Sequence, residues 1–68
     1  MMELDRLTYM ANQIARNLAA HGEAAAIEMT VQHLRDYWDP RMKSAIVSGG
    51  PAGLDPIARA AVSQLAKG

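Results

Sequence analysis

A chain of 68 residues has room for one domain, residues 1–68, and folding so short a chain hides only about 60% of its surface. It contains no cysteine, which excludes disulfides, thiolate-bound zinc and iron–sulfur clusters as sources of reinforcement. Seven basic side chains balance seven acidic ones, so the electrostatic footprint of a DNA- or RNA-binding protein is missing.

No run of about 18 apolar residues could span a membrane. Met1-Met2-Glu3-Leu4-Asp5 is acidic where a secretory signal is basic, so a soluble, cytoplasmic protein is expected. Phenylalanine is absent and alanine abundant, so the large core-forming residues are few.

At about 100° per residue, Leu4, Leu7, Ala11, Ile14, Ala15 and Leu18 fall on one face of a helix from Glu3 to Ala20. Asp5, Asn12, Gln13 and Arg16 fall opposite. His21-Gly22 supplies the stop. A second helix, Glu23 to Trp38, carries Ile27, Val31, Leu34 and Trp38 on one stripe, which is expected to face the first helix. Asp39-Pro40 opens a third, Pro40 to Ser48, because aspartate caps well and proline's missing N–H costs nothing at the first helical position. Met42, Ala45 and Ile46 are its core side chains.

Ser48-Gly49-Gly50-Pro51-Ala52-Gly53 reads as a flexible turn. Asp55-Pro56 then opens a fourth helix, to about Lys67, with Leu54, Ile57, Ala58, Ala61 and Leu65 on one side. The expected fold is all-α: an antiparallel helix pair with two shorter helices packed against it, each opened by Asp-Pro.

Catalytic machinery cannot be assembled from these residues. His21 and His33 are twelve positions apart, and neither has a second ligand at i+3 or i+4 on a buried face, so no metal site is expected. No Gly-x-Ser-x-Gly turn or Ser-x-x-Lys pair frames a nucleophile. The Gly49–Gly53 stretch lacks the Gly-Lys-Ser/Thr ending of a phosphate loop, so no cofactor is expected either.

Binding surface is easier to find. Ala26, Met29, His33 and Tyr37 recur at helical spacing on a second face of the second helix, away from its core stripe. Either this face docks on a partner or a second copy, or one of the short helices covers it. Tyr9, beside Asp5 and Arg16 on the polar face of the first helix, is an exposed anchor or a solvated tyrosine. Trp38-Asp39-Pro40-Arg41-Met42 reads as a helix corner with Trp38 closing the core, and Arg41 is open to either solvent or a partner.

Three blocks, Met10-Ala11-Asn12-Gln13-Ile14-Ala15, Trp38-Asp39-Pro40-Arg41-Met42, and Leu54-Asp55-Pro56-Ile57 with Ala60-Ala61, resemble the delta subunit of soluble NAD-dependent formate dehydrogenases. Their order and spacing cover nearly the whole chain. The resemblance implies an accessory subunit of a cytoplasmic molybdenum or tungsten enzyme that oxidises formate and reduces NAD. Its other subunits hold the pterin-bound metal, the iron–sulfur clusters and FMN. The expected partners are those subunits, foremost the large molybdopterin subunit, with Asn12, Gln13 and Arg41 as candidate contacts beside Tyr9, Met29, His33 and Tyr37. A free-standing helical homodimer acting as an adaptor or regulator, unrelated to formate metabolism, is the alternative.

Overall fold

The computed structural model describes residues 3–68 and contains four α-helices: α1 (Glu3–Leu18), α2 (Glu23–Tyr37), α3 (Pro40–Ser48) and α4 (Pro56–Lys67). No strand occurs among the described residues. Met1, Met2 and the side chain of Glu3 lie outside the description, so the acidic start of α1 is represented by Asp5 alone.

Local chemistry sets the boundaries. After α1 a short 3-10 turn, Ala19–His21, tightens the chain, and the Gly22 N–H donates to the Ala19 carbonyl at 3.0 Å. Asp39 caps α3 as its sequence position suggests: its Oδ1 accepts from the Met42 N–H at 2.9 Å, with Pro40 in the first turn. Asp55 has the same extended backbone ahead of Pro56 but makes no side-chain cap. Its carboxylate points to Arg16 instead, for a reason that lies outside the helix it precedes.

The core draws on every helix. Leu7, Ala11 and Ala15 of α1, Leu34 of α2 and Ile46 of α3 meet Ala58 and Val62 of α4, with Trp38 and Leu54 closing the cluster from the two connections. Leu4, Ile14, Met42, Ala45, Ile57 and Leu65 pack around it, half-buried. Of the stripes expected from periodicity, Leu7, Ala11, Ala15, Val31, Leu34, Trp38, Ile46, Leu54, Ala58 and Ala61 are buried, Leu18 and Ile27 are half-buried like the surrounding residues, and Val62 is buried in addition.

Packing partners differ from expectation in one respect. α1 and α2 are in contact, but the most extensive interface of α2 is with α4. Ala26 and Thr30 on α2 are fully buried, as are Ala58 and Ala61 on α4. Side chains this small let two helices approach closely, so a face of α2 that seemed too weakly apolar for a core becomes the main seam. Ala26 accordingly belongs to the interior and not to a free second face. Thr30, the one fully buried polar side chain among the described residues, donates its hydroxyl to the Ala26 carbonyl at 2.7 Å. That bond meets its hydrogen-bonding need inside α2 and leaves its methyl for packing.

Trp38 is 5% exposed at the α2–α3 corner. Replacing it by Ala is expected to cost about 3–5 kcal/mol, a large share of the total stability of so small a chain. Thermal melting followed by circular dichroism checks this: Trp38→Ala should lose cooperative helical unfolding or melt tens of degrees lower.

Candidate partner-binding surface

The surface begins with what the fold withdraws from it. Leu4, Thr8, Asn12 and Arg16 follow each other at four-residue steps and so form a line along α1. The connection between α3 and α4 lies along that line. At its start, a Cβ on Gly49 would come within 2.6 Å of Leu4 Cδ1, so only the bare backbone fits without displacing Leu4. Gly53 sits at φ +83° with Thr8 Cγ2 only 3.3 Å from where a Cβ would stand, which makes glycine doubly suited there.

Asn12 then closes the seam. Its Nδ2 donates to the Gly53 carbonyl at 2.9 Å, and its Oδ1 accepts from the Asp55 N–H at 2.8 Å. One turn further on, Arg16 Nη2 meets Asp55 Oδ2 at 3.3 Å. The stretch read from sequence as a flexible turn is thus tied to α1 at successive points. Asn12 and Arg16, expected to face solvent opposite the core stripe, face this loop.

Magnitudes separate the two polar contacts. The Arg16 and Asp55 side chains are 69% and 43% exposed, so their ion pair is worth about 0–1 kcal/mol. The amide of Asn12 makes two hydrogen bonds, one of them part-buried, at about 1 kcal/mol each, and losing it leaves the part-buried Asp55 N–H without its acceptor. Only a side-chain amide offers a donor and an acceptor side by side. Asn12→Ala should therefore cost about 1–3 kcal/mol, and Arg16→Ala about 1 kcal/mol or less. Chemical denaturation of the two variants measures the ranking.

For the candidate contacts, this means that both ends of the Asn12 amide are occupied within the chain. Gln13 beside it is half-buried. Arg41 is exposed on the first turn of α3. Tyr9 is 65% exposed and borders a shallow depression over the tied loop, shared with Asp5, Ala52 and Gly53.

Met29, His33 and Tyr37 remain on the surface of α2, and no short helix covers them as Ala26 is covered. Met29 is 39% and Tyr37 75% exposed, with His33 between them half-buried. The His33 and Tyr37 rings stack at 4.8 Å between centroids, tilted by 42°. That contact joins two side chains one turn apart on the helix. Tyr9, Met29 and Tyr37 are the large exposed hydrophobic side chains of the described residues.

No group of three or more His, Cys, Asp or Glu close enough to hold a metal ion lies among the described residues. No described helix is long and apolar enough to cross a membrane.

The loop clamp escaped sequence reading, although one signal was available. Asparagine is a poor residue for a helix interior unless its amide has a partner, and Asn12 sits in the middle of α1.

A family model described as NADH-dependent formate dehydrogenase delta subunit FdsD matches residues 6–62. That span contains the Asn12–Asp55 clamp, the Trp38 corner and every candidate contact from Tyr9 to Arg41. Neither the curated proteins nor the solved structures contain a match to the chain.

Proposed function

The chain belongs to the family of NADH-dependent formate dehydrogenase delta subunits, and from that premise we propose that it is a non-catalytic accessory subunit. It acts in the cytoplasm, binds the large molybdopterin-carrying subunit, and supports cofactor loading or the lifetime of the assembled enzyme. The family match over residues 6–62 carries this reading. The chain's own chemistry supports it, because a sequence without cysteine or a phosphate-binding loop offers no ligands for an iron–sulfur cluster and no grip on a nucleotide.

Its mechanism as a subunit is mutual stabilisation. A small domain with an alanine-rich core has little stability in reserve, and a partner that binds only its folded form adds to it by mass action. The partner in turn gains a rigid helical surface. Aromatic residues such as Tyr37, stacked on His33, lose little side-chain entropy on docking. Met29 adapts to an irregular surface, and Tyr9 and Gln13 extend the contact along α1. Arg41 supplies a planar donor fork suited to a carboxylate or to paired backbone carbonyls.

Two experiments test the reading. Deleting this subunit and purifying the remaining complex should lower the content of metal cofactor or hasten loss of activity, while turnover per bound metal stays nearly unchanged. A collapse of turnover per metal in a stable, fully loaded complex would make the chain catalytic. An unchanged complex would point to a self-associating adaptor. Separately, Arg41→Ala should weaken association with the complex about tenfold and leave the melting temperature of the isolated chain in place.

A further inference from the structure

The chain is neutral overall, but its charges are not evenly spread. Along the seam of α3 and α4 run two adjoining grooves that share Val47 and Ala66. The first has an apolar floor that includes Val47, Leu54 and Val62, with Arg59 at its side. The second has Arg35 and Lys43 along its edge. Three of the seven basic side chains therefore line the joined groove, and no Asp or Glu among the described residues does.

Among the described residues, none of these cations pairs with a carboxylate. Arg35 and Arg59 are exposed, and neither has a carboxylate at ion-pair distance among the described residues. Lys43 Nζ donates to the backbone carbonyl of Arg35 at 3.4 Å, which places its ammonium beside the last turn of α2. Met29, His33 and Tyr37 line neither half, so this surface is separate from the exposed face of α2.

We infer that the α3–α4 groove is a docking site for a segment of a partner subunit that carries apolar side chains flanked by carboxylates. The inference rests on the accessory-subunit reading and adds which surface is used and what it recognises. Charge complementarity selects the occupant. The apolar floor excludes water from the centre of a contact, and the cations along its edges steer an acidic segment. A nucleic acid would need cationic side chains spaced along a backbone, and here an apolar floor separates them.

The test uses the complex with its other subunits. Arg35→Glu combined with Arg59→Glu should lower the affinity of the purified chain for the complex lacking it by tenfold or more. Binding should also no longer weaken as salt is added, because the charges that attracted an acidic segment now repel it. Both side chains are exposed and have no carboxylate partner among the described residues, so circular dichroism should show the helices intact. The milder pair Arg35→Gln and Arg59→Gln should show the same trend if the reversed pair is poorly folded. A photo-crosslinking residue at Ala66, which borders both halves, should capture a partner-subunit peptide with acidic residues beside apolar ones.

Unchanged affinity of a folded charge-reversed chain overturns the groove assignment. So does a crosslink to a second copy of the chain or to a segment without carboxylates. These failures leave the subunit reading standing. That reading falls on a different result, the absence of measurable affinity between the wild-type chain and the complex, and the groove assignment falls with it.

Discussion

The amide of Asn12 is the contact on which the arrangement of the second half depends. α3 and α4 have nine and twelve residues, lengths at which isolated helices are marginal in water. They hold their shape because they are placed against α1 and α2. The Asn12 side chain sets that placement by joining α1 to Gly53 and Asp55, positions more than forty residues away in the chain. With the loop fixed there, Leu54 drops into the core and Pro56 starts α4 at the height where Ala58 and Ala61 are buried. The bare backbone at Gly49 and Gly53 lets the loop lie close enough for this to happen.

The same clamp explains why the two Asp-Pro sites behave differently. Asp39 has no competing partner and folds its carboxylate back on the Met42 N–H. Asp55 has its N–H taken by Asn12 and its carboxylate drawn to Arg16. Proline's fixed φ suffices to start α4 without a side-chain cap. Two identical dipeptides thus perform one common task, starting a helix, and only the second also ties elements together.

A division of labour follows for the three blocks that carry the family resemblance. Asn12, Trp38, Asp39, Leu54 and Asp55 turn inward or toward one another and hold the fold. The exposed side chains Tyr9 and Tyr37 and the cations of the α3–α4 groove lie outside those blocks, whereas Gln13 and Arg41 lie within them.

Sequence by itself determined the four helices, their boundaries to within about two residues, most of the core stripes and the burial of Trp38, because periodicity, capping and proline geometry act within a few residues of chain. The family blocks were also legible there. Tertiary structure alone decided that α4 and not α1 is the main neighbour of α2, since alanine and threonine are weak signals until two such faces meet. Likewise it decided that Asn12 and Arg16 face a loop and that Asp55 is no cap. It also decided that Arg35, Lys43 and Arg59, spread over twenty-four positions, share one groove. Each of these depends on which distant residue arrives opposite a polar or small side chain, and local pattern carries no information about that.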